Sequence, residues 1–233
     1  NAAHGFGITG DICGEFFAAF VDVLTTGNHV WDQREIIPYI GGETRLLRPL
    51  NYPEGTPGIG AQVYANGSGL RLMVLQVMGR LFMDPLDDPF VAAERALQNQ
   101  RLGASVDCIV ADIHAEATSE KMAIGHVLDG RVSLVVGTHS HVPTADARIL
   151  TGGTAYMTDV GMCGDYDSVI GMQKETAIAR FVAKMPTGRL EPANGAATLC
   201  GVYVETDPSS GKAVQVGPLR VGGSLVPQWP LAS

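Results

Sequence analysis

The sequence predicts an α/β fold in which a mixed β-sheet sandwich is flanked by helices. Strand-like apolar runs alternate with helix-like segments through the first two thirds of the 233 residues, which is typical of α/β proteins. Two hairpin-like pairs, one near the middle and one at the end, indicate a mixed rather than a purely parallel sheet. Because no repeat, low-complexity tract or linker interrupts the chain, we expect a single domain over residues 1–233.

Helices are predicted from apolar residues at helical spacing and from residues that cap helix ends. Asp32 and Glu35 stand three positions apart, as in a capping box, and Thr118 or Ser119 is placed to cap a later helix. Pro89 suits the first turn of another helix. The predicted helices are residues 9–20, 89–102, 119–128 and 175–184. A further short helix is predicted after the capping box and ends near residue 40.

Strands are predicted where β-branched and apolar residues cluster between turn signals. A glycine-rich turn at residues 66–69 joins the first hairpin, and a turn at 207–211 joins the last. Two further segments are almost wholly apolar, as expected of strands that are buried on both faces. The predicted strands are residues 62–65, 70–77, 106–113, 132–136, 155–158, 198–205 and 214–221, with one more that ends at residues 27–29.

Composition argues against several classes of protein. The net charge of −8 disfavours a protein that holds long nucleic acid by neutralising its phosphates. Apolar runs fall short of the roughly 20 residues that a membrane helix needs, so we expect no membrane association. The four cysteines are widely separated and form no C-x-x-C pair. We expect them to be reduced, which predicts a cytoplasmic protein.

Three polar clusters follow apolar strands: Asn28 with His29, His114 alone, and His139 with His141. Because groups beyond the carboxyl ends of strands meet in one crevice of an open α/β sheet, we expect these clusters to converge. His139 and His141 share one face of an extended segment, since side chains alternate there. Neutral imidazole suits zinc or iron, and an Asn carbonyl adds a harder donor that suits manganese or iron. The clusters therefore predict a two-metal centre that activates a water for hydrolysis.

A structural role for these histidines is the main alternative. A single histidine after a strand is more often a hydrogen-bonded structural residue than a ligand, but three such clusters favour the metal centre. Nearby polar residues keep several interpretations open. Glu116, Thr118, Ser119 and Lys121 shape the loop after His114, cap the next helix or approach the substrate, and capping is the preferred interpretation. Asp146 and Asp159 either orient imidazoles or serve as turn and cap residues.

Two histidine motifs resemble the signatures of calcineurin-like metallophosphoesterases. They are Gly27-Asn28-His29 and the segment from Gly137 to His141, which reads GTHSH. More narrowly, five segments are similar to the YmdB-type bacterial branch of that superfamily, so that the resemblance extends over nearly the whole chain. These segments are residues 1–5, 48–53, 85–90, 114–121 and 138–146.

The resemblance implies a 2′,3′-cyclic-nucleotide phosphodiesterase with two metal ions, iron or manganese, with zinc as a further option. It implies that one ion is held by Asn28, His114 and His139, and that His141 binds the other. It also implies that His29 contacts the phosphate and protonates the leaving oxygen. Asn1 matches an asparagine that lies close to the metals, and His4 is near enough in sequence to touch the substrate.

The chain departs from the family pattern at its beginning. The family's opening strand, whose Asp binds the first metal, and the Glu before the residue matching Asn1 are not in this sequence. We therefore expect either about forty residues upstream of Asn1 or a fragment with an impaired site. Two other functions stay open: a phosphomonoesterase or nucleotidase on the same centre, and a non-catalytic metal-binding regulatory protein. Because homo-oligomers are common, a homodimer or homotetramer is expected.

Overall fold

A computed structural model of the chain describes residues 1–184 and 188–229. The helices are α1 (Gly10–Ala18), α2 (Ile36–Ile40), α3 (Pro89–Leu97), α4 (Thr118–Leu128) and α5 (Lys174–Ala183). The strands are β1 (Leu24–Thr25), β2 (Leu46–Leu47), β3 (Ala61–Ala65), β4 (Arg71–Met78), β5 (Cys108–His114), β6 (Leu134–Thr138), β7 (Arg148–Ile149), β8 (Ala155–Met157), β9 (Gly164–Asp165), β10 (Ala197–Thr206) and β11 (Ala213–Gly222).

A mixed six-stranded sheet in the order β3-β4-β5-β6-β8-β7 forms the centre of the fold. Strands β4, β5, β6 and β8 are parallel, and the edge strands β3 and β7 pair antiparallel with their neighbours. A three-stranded antiparallel sheet has the order β11-β10-β9, and β1 and β2 form a short parallel pair. Because the central strands are parallel, their carboxyl ends lie along one edge, which we call the carboxyl edge; the opposite side is the amino edge.

The six-stranded sheet has different partners on its two faces. Alternate strand residues such as Leu75 and Ile113 share a core with Leu97 of α3 and Ile124 of α4. The strand residues that point to the opposite face, including Leu134, pack against valines of β10 and β11. The result is a layer of helices, a six-stranded sheet and a three-stranded sheet, which confirms the predicted mixed sandwich flanked by helices.

A second and smaller core lies beside this sandwich. It joins α1, α2 and the β1–β2 pair and contains a short set of buried residues: Ile8, Cys13, Val30, Ile36, Ile40 and Leu46. Thr9 caps α1 by accepting a hydrogen bond on its hydroxyl from the N–H of Ile12 at 3.2 Å. This core carries the segment after β1, which contains Asn28 and His29.

Local structure corrects three of the predicted helix boundaries. The capping box at Asp32 and Glu35 is wrong, because the Asp32 carboxylate binds His29 and α2 begins without a side-chain cap. Neither Thr118 nor Ser119 caps α4, since they are its first two residues and the N-cap position is Ala117. The helix expected to reach residue 102 ends at Leu97, where the chain turns instead of continuing.

The four cysteines, Cys13, Cys108, Cys163 and Cys200, are free thiols, as predicted. Cys13 and Cys200 are buried, which is the usual environment of a cysteine that serves as a small apolar side chain. Across residues 1–184 and 188–229, helices fall short of the length and apolar character required to cross a bilayer.

Candidate active site

A cavity of about 1130 Å³ opens at the carboxyl edge of the six-stranded sheet. Strand β5 ends at His114, and β6 ends at Thr138, directly before the H-x-H segment. The segment after β1 approaches from the smaller core. Every residue that the sequence assigned to the site lines this cavity: Asn1, His4, Asn28, His29, His114, His139 and His141.

Three side-chain atoms meet at one point of the cavity. Nε2 of His114 lies 2.8 Å from Oδ1 of Asn28 and 3.2 Å from Nδ1 of His139. The two imidazole rings stand edge to face, with centroids 4.9 Å apart. The three clusters that lie far apart in sequence are therefore brought together, as the strand-end argument predicted.

Hydrogen bonds to the outer ring nitrogens determine which nitrogens carry lone pairs. The Thr138 hydroxyl donates to Oδ1 of Asp112 at 2.7 Å, so its oxygen accepts the Nδ1 proton of His114 at 3.0 Å. Nε2 of His139 lies 3.1 Å from a carboxylate oxygen of Glu116 and donates its proton there. With these tautomers Nε2 of His114 and Nδ1 of His139 both carry lone pairs, and Nε2 of His114 faces the Asn28 oxygen.

Burial keeps these two imidazoles neutral. Desolvation, reinforced by the neighbouring His139 and the ammonium of Lys121, lowers the pKa of His114 well below its ordinary 6.5. Desolvation also lowers the pKa of His139, although the nearby Glu116 carboxylate acts in the opposite direction. Both rings are thus in the form that binds cations at neutral pH.

The donor set fits a bound cation. Two ligands of one metal ion with bonds of about 2.1 Å stand roughly 3 Å apart in octahedral geometry, which matches the separations among Asn28, His114 and His139. Among the described residues, His, Cys, Asp and Glu side chains alone form no group of three that could hold a metal. The amide oxygen of Asn28 is the third polar atom beside the imidazoles of His114 and His139.

His141 presents its second nitrogen separately. Its Nδ1 donates to the backbone oxygen of Ile170 at 2.8 Å, which leaves Nε2 with a lone pair. His141 has φ 65° and His139 has φ 100°, a left-handed backbone region that non-glycine residues rarely adopt. Such conformations persist only where the surrounding structure enforces them, and they cluster at functional sites.

His29 forms a pair that the sequence analysis missed. Its Nδ1 lies 2.6 Å from Oδ2 of Asp32, and Phe6 packs edge-on against its ring with centroids 5.5 Å apart. The carboxylate accepts the Nδ1 proton and fixes the orientation of the imidazole. The signal was present in the sequence, because Asp32 follows His29 by three residues, but the same aspartate also matched a helix-capping pattern.

Gly27 allows the Asn28 segment to approach the sheet closely. Its φ is 122°, and a Cβ added there would lie 2.5 Å from Nε2 of His114. The imidazole therefore packs directly against the glycine backbone. This contact gives the glycine of the GNH motif a physical function.

Asp159 and Asp146 do not bind an imidazole directly in the contacts described for them, which differs from one of the interpretations considered for them. Asp159 accepts backbone N–H groups of Ser140 and Gly161 and pairs with Lys121. Asp146 accepts hydrogen bonds from Thr144, Thr158 and Arg148. Their turn-forming interpretation is the one that the contacts support.

Comparison with known proteins gives a consistent family relationship. A family model described as YmdB-like protein matches residues 1–219. The chain is 48% identical to the 2′,3′-cyclic-nucleotide 2′-phosphodiesterase of Bacillus subtilis over 216 residues, covering 93% of this chain and 80% of that protein. It is 32% identical to a putative phosphatase/phosphodiesterase of Mycoplasma genitalium, covering 95% and 79%.

Solved structures agree with this relationship. A hypothetical protein from Thermus thermophilus superposes with a TM-score of 0.88 at 44% identity, covering 96% of this chain and 85% of that one. A structure titled as a novel phosphatase from Mycoplasma pneumoniae superposes with a TM-score of 0.86 at 32% identity, covering 94% and 78%.

Proposed function

The chain belongs to the YmdB-like family, and on that premise we propose that it is a metal-dependent phosphodiesterase that hydrolyses 2′,3′-cyclic nucleotides. One structural observation supports this proposal most directly. The lone pairs of Asn28, His114 and His139 converge in a cavity beside His29, so that a cation-binding point stands next to a proton donor. This is the arrangement that phosphate-ester hydrolysis requires.

Asn28, His114 and His139 would hold one metal ion, and His141 would contribute to a second. Nitrogen ligands with an amide oxygen suit iron or manganese, with zinc as a further candidate. When bound, such ions lower the pKa of a water and neutralise the negative charge of a phosphate. The protein's own contribution is to keep the imidazoles neutral and oriented, through Thr138 for His114 and Glu116 for His139.

His29 is the proposed general acid. Hydrolysis of a cyclic phosphate at the 2′ position breaks the bond between phosphorus and the ribose 2′ oxygen, and that oxygen must gain a proton as it leaves. Asp32 holds Nδ1 of His29, so Nε2 is the nitrogen that delivers the proton. Asn1 and His4 line the same cavity and are proposed to contact the substrate.

Other parts of the proposal concern the setting of the enzyme. Free thiols at all four cysteines support a reducing compartment, and we place the protein in the cytoplasm. A homodimer or homotetramer remains our expectation for its assembly. A small phosphate ester is the proposed partner, because the net charge of −8 does not favour binding of long nucleic acid.

A phosphomonoesterase or nucleotidase is the second candidate function. The Mycoplasma genitalium relative is described as a putative phosphatase/phosphodiesterase, and the Mycoplasma pneumoniae structure is titled as a phosphatase. The ligand set favours phosphate chemistry in general and does not by itself select the leaving group. A non-catalytic regulatory protein would use the same ligands without turnover.

The deciding experiment measures bound metal and hydrolysis of 2′,3′-cyclic AMP together, with and without added Mn²⁺, for the wild type and for His114→Ala. We expect about two metal ions per chain, Mn²⁺-dependent conversion to a phosphomonoester, and loss of both in the variant. Faster hydrolysis of 3′-AMP than of the cyclic substrate would favour the phosphomonoesterase. Bound metal without turnover of either substrate would indicate the regulatory protein.

A further inference from the structure

A fully buried ion pair lies directly behind the H-x-H segment. Nζ of Lys121 in α4 is 2.7 Å from Oδ2 of Asp159, and both side chains are only 1% exposed. Burying two charges costs solvation free energy that their mutual attraction often fails to recover. A pair of this kind is therefore a weak source of stability, and its contacts point to another purpose.

The Asp159 carboxylate is bound to the backbone between the two histidines. Oδ2 accepts the N–H of Ser140 at 3.0 Å, and Oδ1 accepts the N–H of Gly161 at 2.9 Å. Ser140 is the residue between His139 and His141, whose φ angles are both positive. The carboxylate thus ties the centre of the strained segment to the chain after β8.

Lys121 reaches this carboxylate past Gly137, which lies on β6 just before the H-x-H segment. A Cβ on Gly137 would lie 2.9 Å from Cδ of Lys121 and would also collide with the backbone oxygen of Thr158. The absence of a side chain at Gly137 therefore makes room for the lysine. Lys121 balances the buried charge of Asp159 at Oδ2, the same oxygen that accepts the N–H of Ser140.

We propose that Lys121 and Asp159 are positioning residues that hold His139 and His141 in their left-handed conformations, so that both imidazoles face the cavity. The ion pair with Lys121 holds the carboxylate in place, and the carboxylate fixes Ser140 through its backbone N–H. One ion pair would in this way set the geometry of ligands for both metal sites. The inference rests on the proposed metal centre, although its effect on the backbone is independent of any metal.

The test uses Lys121→Met, which keeps the length of the side chain and removes its charge, and the double variant Lys121→Met/Asp159→Leu. The double variant is expected to fold, because apolar residues of similar volume often replace a buried ion pair without loss of stability. The matched control is Asp129→Asn. Asp129 also accepts two backbone N–H groups, from Gly152 and Thr154, but it lies at the amino edge.

Two quantities are measured for each protein: Mn²⁺ affinity by calorimetry, and hydrogen exchange of the Ser140 amide in metal-free protein. We expect both Lys121 variants to bind Mn²⁺ about 10–100-fold more weakly than the wild type, with faster exchange at Ser140. Asp129→Asn should leave both quantities unchanged, even if its melting temperature falls.

Wild-type Mn²⁺ affinity and Ser140 exchange in the folded double variant would overturn the inference while leaving the proposed function intact. A wild-type protein that binds no Mn²⁺ would instead contradict the proposed function, and the exchange measurement alone would then decide the positioning role. Equal weakening in Asp129→Asn would show that general stability, not positioning, controls metal affinity, which also overturns the inference.

Discussion

The two edges of the six-stranded sheet satisfy their buried polar groups in different ways. At the amino edge, Ser133 is fully buried, accepts the N–H of Ile109 and donates to the backbone oxygen of Gly211. At the carboxyl edge, by contrast, Nε2 of His114 lies 2.8 Å from Oδ1 of Asn28, and both atoms are acceptors in the tautomer inferred from the contact of His114 with Thr138. Protein groups alone satisfy the first arrangement, whereas the second matches the proposed metal site.

Backbone conformation follows the same division. Near the carboxyl edge, His139 and His141 have positive φ angles, and a buried ion pair fixes the residue between them. At the amino edge, the turn containing Gly152 and Gly153 is held by the carboxylate of Asp129, and the residue with positive φ is a glycine. Positive φ angles thus occur at proposed ligand residues at the carboxyl edge and at a glycine at the amino edge. Substitutions at the carboxyl edge should affect function first, and those at the amino edge should affect stability first.

The largest expected effect is that of His29→Ala. Removal of a general acid should lower turnover of 2′,3′-cyclic AMP by about 10²–10⁴-fold, while metal content stays near that of the wild type because His29 is outside the proposed ligand set. Steady-state kinetics with metal analysis measures both. Turnover equal to that of the wild type would exclude His29 from the mechanism.

Gly27→Ala should come next. The added methyl group would enter the space of the His114 imidazole, and φ 122° is unfavourable for alanine, so the ring must move away from Asn28. We expect Mn²⁺ affinity, measured by calorimetry, to fall by about 10–100-fold. Gly67→Ala is the control, since a Cβ there meets open space. Unchanged affinity in Gly27→Ala would show that the close glycine contact does not set the position of His114.

The smallest effect on function is expected from Ser133→Ala at the amino edge. The variant leaves the buried N–H of Ile109 without its side-chain acceptor, so the free energy of unfolding should fall by about 1–3 kcal/mol. Turnover at a temperature well below the melting transition should stay unchanged. Urea denaturation and a parallel activity assay test this, and a large loss of activity in the folded variant would contradict the proposed separation of the two edges.

Much of the fold could be predicted because its long strands carry strong local signals. The apolar runs of β5 and β6 and the hairpin of β3 and β4 are visible in the sequence, and their ends place His114 and His139. Strands β2, β7 and β9 were missed. Each has only two residues, which is too short for any alternation of apolar and polar residues to be detected.

The composition of the site was more predictable than its hydrogen bonds. Residues at strand ends meet whatever the exact register, so the histidines could be assigned from sequence. The contact from His114 through Thr138 to Asp112 depends on the parallel register of β5 and β6, in which His114 faces Thr138. The pairing of Asp32 with His29 depends on whether the carboxylate binds the imidazole or caps the helix that follows. Neither of these contacts can be predicted from local helix and strand propensities alone.

The candidate site lies at the boundary between the two hydrophobic cores, which differ in size. Asn28 and His29 directly precede Val30 of the smaller one, whereas His114 and His139 follow strands of the larger one. Because local opening costs less free energy where fewer apolar residues are buried, we expect the smaller core to open before the larger one and to separate the two halves of the site. Any ion shared by Asn28 and His114 would join the two cores, and the cooperativity of folding would then depend on the occupancy of the site.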